Sequence, residues 1–517
     1  VSSRLGEVPV RIRVGVTGHR DVLDSPALTE RVAQSFAWIR EHARRANPDA
    51  VVLTVVSSLA EGADRIVAEY ALSDSHAEVE APLPFDPTRY EEDFANADSR
   101  RQFRNLLERA VWQVVSNEPA PDAYEDASRV VVETSDVLIA LWDRTRESKT
   151  GGTTATVEYA HECGTPVIEI EPSGAHRVTW PRLRLEVERY NRCRVSERKF
   201  ASAENDARTQ LLADVRYETR NRLTPITEWI VPYYTRADLL AIRFQRLYDR
   251  LGITVALLAA CAVSLAAAQA IFVPERLLLT WIELVVIVFG FALVWLGARR
   301  RLQRRWLGYR ALAERLRSAM YLAVAGSGDP SDAGVLGSDL GDWSERWVVN
   351  AVRSIYRLRP RSSSVNAVDE LREVLSNSWI GGQIKYFAGA RQRSRRREEI
   401  VQRTVIAIVG GVLLLVFLHA GQLLEYGSVP KWLAFLAISL PVLGAALAGI
   451  GEQREWRRHS RRYARLIRRL KVIQRGMTRA KTLDELRMVA LEAETTIRGE
   501  QRDWFGTMLF KDVRVSP

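Results

Sequence analysis

Four long apolar runs interrupt the second half of this chain, whereas its first third alternates short apolar runs with amphipathic stretches. The long runs cover Ile253–Val273, Leu277–Ala298, Thr404–Leu424 and Trp432–Ile450. At a rise of ~1.5 Å per residue, a helix of about 20 such residues crosses a hydrocarbon core of ~30 Å. Four membrane spans are therefore expected. The first third reads differently. VRIRVGVTG (10–18), AVVLTVVSSL (50–59), VEAPLPF (79–85), DVLIALWD (136–143) and PVIEI (166–170) are short Val/Ile/Leu-rich runs. Between them, AEGADRIVAEYAL and GGTTATVEYAHECG carry helical periodicity. Near-continuous apolar strands alternating with helices predict a parallel sheet covered on both faces, a Rossmann-like α/β domain. The second half is then an α-helical membrane region with long helices outside the spans.

The charge pattern bears on orientation. Arg299, Arg300, Arg301, Arg304, Arg305 and Arg310 follow the second run. Arg391, Arg393, Arg395, Arg396, Arg397 and Arg403 precede the third, and Arg454, Arg457, Arg458, Arg461 and Arg462 follow the fourth. The two hairpin loops carry little beyond Arg276 and Lys431. The positive-inside rule then predicts a multi-pass protein of the inner (cytoplasmic) membrane with both termini cytoplasmic. The formal charge of +11 comes almost wholly from arginine, since only seven of the 74 basic residues are lysine. Because these clusters hug the span boundaries, anionic lipid headgroups are the expected counter-charge, and nucleic acid is not an expected partner.

The two hairpins resemble each other. Tyr234 and Tyr386 precede their spans by similar lengths, and Tyr309-Arg-Ala-Leu-Ala-Glu-Arg-Leu-Arg317 parallels Tyr463-Ala-Arg-Leu-Ile-Arg-Arg-Leu-Lys471. The offset stays at about 152–154 residues, which suggests a tandem duplication. The expected organisation is a ligand-binding domain (1–172), a helical connector (173–235), a first two-span unit (236–325), a linker and helix (326–364) and a second two-span unit (365–517). Segments 326–343 and 359–364 read as loops. RADLLAIRFQRLYDRLGITV (236–255) reads as one unbroken helix leading into the first span. No secretory leader is apparent at Val1. Cys163, Cys193 and Cys261 are too few and too scattered for a disulfide framework or a metal site.

In a doubly wound sheet, ligands bind beyond the carboxyl ends of the strands, where the strand order reverses. Three loops are expected there. They are Thr17-Gly18-His19-Arg20, the segment from Ser57 and Ser58 through Glu61 and Gly62 to Asp64, and Gly151-Gly152-Thr153 at the start of a helix. Glycine allows close backbone approach, and a helix N-terminus favours an anion. Arg20 offers a bidentate phosphate contact, and Glu158 lies within reach of ribose hydroxyls. Together they suggest a site for a nucleotide-derived small molecule, with no metal and no other cofactor.

VGVTGHR, SSLAEGADRIVAEYAL, SDVLIALWD and GGTTATVEYA, in this order, resemble the SLOG superfamily, a Rossmann-like group related to DprA-type and LOG-type proteins. The remainder is similar to SLATT-type two-span effector modules, here in tandem. The resemblance implies a sensor of nucleotide-derived signals, including those of antiviral defence, wired to an oligomeric membrane effector. LOG-type phosphoribohydrolases carry Pro-Gly-Gly-x-Gly-Thr-x-x-Glu. Here Gly151, Gly152 and Glu158 keep the spacing, but Thr150, Thr154 and Ala155 replace the Pro, Gly and Thr. Two functions are thus expected to compete. One is a ligand-gated effector that opens a pore or disrupts the bilayer. The other is a membrane-anchored N-glycosidic hydrolase with Glu158 as its catalytic carboxylate. Glu283, the ionisable residue clearly inside a span, is the candidate for a polar cavity or pore.

Overall fold

The computed structural model describes residues 5–22, 24–43, 52–74, 76–116, 122–142, 152–171, 176–178, 186–275, 277–326, 343–360, 367–421, 426–453 and 456–509. The loops expected at 326–343 and 359–364 therefore fall largely outside the described residues, as do Arg276 and Arg454.

Seven strands form the N-terminal sheet: β1 (Arg11–Gly18), β2 (Val52–Val56), β3 (Ala77–Leu83), β4 (Val111–Val114), β5 (Val137–Leu141), β6 (Val167–Ile170) and β7 (His176–Val178). The order is β4-β3-β2-β1-β5-β6-β7, with the first six parallel and β7 antiparallel to β6. The order reverses between β1 and β5. Six helices accompany it: α1 (Pro26–Ala43), α2 (Ala63–Ser73), α3 (Pro87–Tyr90), α4 (Ala97–Arg109), α5 (Ala123–Thr134) and α6 (Thr153–Glu162). Ile12, Val14, Val16, Leu53 and Val55 turn to the face covered by α1 and α2, where Val32, Phe36, Val67 and Ala71 meet them. Val56, Leu138, Ala140 and Val167 turn the other way, onto Val131 and Val132 of α5 and Val157 and Ala160 of α6. The α/β expectation holds. Two strands have no counterpart among the five apolar runs. β4 is an edge strand with Val111 and Trp112 exposed, and β7 spans three residues. Both lie at the edges of the sheet, and neither carries a continuous apolar run.

A helical connector follows: α7 (Glu186–Asn191), α8 (Glu197–Leu211) and α9 (Tyr217–Arg222). Next come α10 (Thr224–Phe272), α11 (Leu278–Arg299), α12 (Leu302–Val324) and α13 (Trp343–Tyr356). After α14 (Val368–Glu373), a π-helical segment (Val374–Gly381) leads into α15 (Gly382–Ala420). The chain ends in α16 (Val429–Gln453), α17 (Trp456–Arg479) and α18 (Leu483–Leu509). The helix expected over 236–255 is the middle of α10, whose 49 residues span about 73 Å. α10, α11, α15 and α16 each contain a stretch long and apolar enough to cross a membrane. Those stretches are largely exposed: Val285 is 65% accessible, Phe291 73% and Ile406 71%. A contiguous apolar surface of this extent is what lipid covers, and the protein is a membrane protein. α10 packs against α11 and α16, and α16 packs against α15. Phe272, Trp432 and Phe435 make the α10–α16 contact at one end.

The amino ends of the sheet strands are charged on the α5–α6 face. Arg11 and Arg13 of β1 pair with Glu78 and Glu80 of β3, and Arg357, just past α13, pairs with both glutamates. Burial would raise the Glu80 carboxyl, but Arg13, Arg353 and Arg357 outweigh it and hold it at about 2. A carboxylate depressed on folding contributes stability above its unfolded pKa of about 4.5 and loses it as pH falls toward 2. Glu80→Gln should therefore destabilise the full chain by roughly 3 kcal/mol at pH 7 by taking the carboxylate charge away from the buried Arg13 guanidinium. The penalty should shrink as pH falls through 4, read as thermal unfolding midpoints of the detergent-solubilised protein.

Candidate functional site

A cavity of about 450 Å³ opens at the switch point between β1 and β5. Its floor is the turn after β1. Thr17, Gly18, His19 and Arg20 all line it, and the His19 N–H extends the sheet by donating to the Leu141 carbonyl at 3.2 Å. The second wall comes from the loop after β2, through Ser58, Ala60 and Asp64. The third is the start of α6, with Gly152, Thr153, Thr154 and Thr156. All three expected loops therefore meet at one cavity. Gly151 lies outside the described residues.

Two glycines make this junction possible. A Cβ on Gly18 would sit 2.3 Å from the Ala63 Cβ and 2.7 Å from the Leu141 carbonyl oxygen. Gly62 has φ +75°, and a Cβ there would meet the His19 and Arg20 carbonyl oxygens at 2.5 Å. They bring the α2 N-terminus onto the β1 turn, where the Ala63 N–H donates to the His19 carbonyl at 3.3 Å. The α2 terminus is thereby partly used up within the fold. The α6 terminus differs. The Thr156 N–H and hydroxyl both donate to the Gly152 carbonyl at 3.1 Å, and the N-cap residue, Gly152, brings no side chain to cap the helix. The first-turn N–H groups thus face the cavity mouth with the positive end of the helix dipole.

Asp64 is buried beneath the β2 loop. Its Oδ2 accepts from the Ser57 hydroxyl at 2.9 Å. Burial pushes its carboxyl up to about 6, against the opposing pull of Ser57, the Ala60 N–H, Arg20 and Arg65. Ser57 acts through Asp64 and does not itself line the cavity. Glu61 points away from the cavity. It accepts from the Ala95 N–H at 3.0 Å and from the Ser99 hydroxyl, tying the loop to the start of α4. Arg65 completes that tie by donating to Leu59 and Ser99. Glu158 is exposed on α6 and does not line the cavity. Glu283 is half-buried on α11, with no hydrogen-bond or ion-pair partner among the described residues, beside exposed Trp281, Ile282, Leu284 and Val285.

The aromatic wall is not legible in the spacing of residues. Tyr90 and Tyr124, with Pro84, Ala127, Ser128 and Val131, close the cavity opposite α6. The guanidinium of Arg20 lies 5.8 Å from the Tyr124 ring centroid, and burial raises the Tyr90 phenol. The one available signal was the helical spacing of Ala123, Ala127 and Val131, which marks α5 as buried and says nothing of a ligand. The cavity combines first-turn N–H groups and Arg20 for an anion, polar Asp64 and threonines for hydroxyls, and an aromatic wall for a flat ring. No metal-binding cluster of His, Cys, Asp or Glu occurs among the described residues.

Because the Asp64 carboxyl is raised on folding, the native state holds its proton longer than the unfolded chain. Its contribution falls as pH climbs from about 4 to about 6. Asp64→Asn should thus stabilise the protein at pH 7.5 by up to about 3 kcal/mol, read as a higher thermal unfolding midpoint, with the gain vanishing below pH 4. No protein-family model matches this chain, and no curated protein matches it at a significant level.

Proposed function

We propose that this protein is a membrane effector whose α/β domain binds a nucleotide-derived signal and thereby gates a pore or a disruption of the bilayer. One observation carries the ligand assignment: a cavity at the switch point of a parallel sheet has an uncapped helix N-terminus, an arginine and an aromatic wall around it. Its volume of about 450 Å³ suits a mononucleotide-sized ligand. The four apolar helices supply the membrane part. The likeness of the four motifs to SLOG sensors, and of the hairpins to SLATT modules, supports a role in antiviral defence as a homo-oligomer. The hydrolase alternative draws less support, because the carboxylate its motif supplies, Glu158, is exposed outside the cavity.

Incubation with cyclic nucleotides and ADP-ribose derivatives tests this assignment. At least one should raise the unfolding midpoint and be recovered intact by chromatography. Arg20→Glu and Gly152→Asp should each abolish that shift while leaving the unliganded midpoint close to the parent's. A shift retained in both variants would remove this cavity as the site, and consumption of the nucleotide would favour the hydrolase.

The membrane half makes a separate prediction. In liposomes, the stabilising nucleotide should release a trapped dye or ions. Glu283→Gln should alter the cation preference of that leak without altering the thermal shift. Unchanged preference would leave Glu283 as a carboxylate reaching for water at the membrane edge.

A further inference from the structure

The cavity lies at the carboxyl ends of the strands, and the membrane helices attach to the domain elsewhere. α13 bridges the two. We propose that α13 is a strut that carries a change of state at the cavity to the helices entering the membrane. The inference rests on the cavity being the sensing end, as argued above.

The first joint is made by α5. Its first two turns line the cavity through Tyr124, Ala127, Ser128 and Val131. Its last turn ends at Thr134, about 15 Å along the helix from Tyr124 and one turn past Val131. There the Thr134 carbonyl accepts from the Asn350 amide at 3.3 Å, and the Ser135 carbonyl accepts from Arg346 at 2.9 Å. Arg346 also donates to the Thr165 hydroxyl at 2.9 Å, just before β6. Arg346, Asn350 and Arg357 fall at i, i+4 and i+11, so one face of α13 and its extension meets the sheet. Arg346 and Asn350 are both buried. Movement of α5 without α13 would take these acceptors from the buried Arg346 and Asn350 donors, so the two helices have to shift together.

The second joint is made by the other face of α13. Trp347 lies flush on the backbone of α12: a Cβ on Gly308 would sit 3.1 Å from its ring. The Trp347 ring also meets Tyr309 edge-on, with centroids 5.9 Å apart. Gly308 is seven residues past Arg301, the left-handed turn where α12 leaves the second apolar helix. The Trp229 indole of α10 donates to the Ile355 carbonyl at 2.9 Å, which joins the first apolar helix to the same strut. α13 thus touches the stems of both helices of the first hairpin and the helix that walls the cavity.

The test avoids dependence on an unidentified ligand. Ser128→Trp places a bulky ring in the cavity of the full-length protein in zwitterionic nanodiscs, and hydrogen–deuterium exchange is followed along the chain. Exchange should change in α5, α13 and α12, with α1, on the far face of the sheet, unaffected. Adding Arg346→Ala and Asn350→Ala should leave the α5 response in place and reduce the α12 response at least about threefold. Should Ser128→Trp fail to fold, Ser128→Leu serves as the milder probe. An α12 response that survives loss of both strut contacts overturns the proposal, as does an α5 response that never reaches α12. Transmission in a protein that no nucleotide stabilises would support the strut while removing the proposed ligand.

Discussion

A guanidinium buried without a carboxylate has to find carbonyls, and Arg236 finds four. It is 2% exposed and donates to Leu5, Tyr190, Asn191 and Cys193, with the Tyr190 ring 5.4 Å beneath it. Those acceptors come from the segment before β1 and from the connector, whereas Arg236 sits on α10. Asn191 adds a two-way bond to the Val8 backbone, at 3.0 and 2.8 Å. Gly6 presses so closely on the Pro232 carbonyl that only a residue without Cβ fits. The sheet therefore cannot drift relative to α10. Nη2 shares its two hydrogens among the Tyr190, Asn191 and Cys193 carbonyls, so displacing the connector as a whole would strip a buried charge of its acceptors, at about 1.5–3 kcal/mol for each hydrogen bond lost. The geometry of every other contact between the two halves presupposes this anchor.

The two hairpins meet at a second buried charge cluster. Glu314 on α12 pairs with Arg310 and Arg317. Burial opposes its charge, but the two guanidinium groups hold it below the ordinary carboxylate range. Arg310 also reaches Asp238 of α10 at 3.1 Å and the Tyr386 hydroxyl of α15 at 3.0 Å, while Arg317 donates to the Tyr234 hydroxyl at 2.5 Å. Tyr234 and Tyr386 are the two tyrosines that the repeat places in register. Both end at the same cluster, Tyr234 from α10 and Tyr386 from α15. A charged network inside a helix bundle adds little net stability over apolar packing, but it tolerates only one register of the helices around it. The two tyrosines thus act as matched pegs in a single socket.

What could be read from residues alone follows from burial. β1, β2, β3, β5 and β6 are covered on both faces, so their apolar runs are continuous and legible. β4 and β7 lie at the edges and carry no such run. The four apolar helices were legible because lipid, like a core, demands an unbroken run. The three loops of the cavity were legible through their glycines, although Gly18 and Gly62 serve helix–strand approach more directly than ligand approach. Individual acidic side chains were not. Glu61 and Asp64 are three residues apart on the same loop and helix start, yet one ties down α4 and the other sits beneath the cavity. Only the fold decides which way each turns. Tyr90 and Tyr124 come from helices brought in by the long β3–β5 crossing, a distance relation that no local spacing records.

The membrane layer sets a limit on any conducting role. Among its apolar helices the packing runs in one line, α11–α10–α16–α15, so the outer two each have one principal neighbour within that layer. Polar groups in that line are few: Ser264 bonds back to the Ala260 carbonyl, and Thr280 donates to Gln269 at 2.5 Å. Such bonds satisfy the side chains locally and leave no string of donors and acceptors from one side to the other. A single row of helices with apolar faces on both sides encloses no water path. A path has to be assembled from faces that this one chain leaves open, and Glu283 lies on the outermost helix, α11, among exposed Trp and Leu side chains. In the function proposed above, conduction is then a property of several chains together, and Glu283 on α11 is the carboxylate to test.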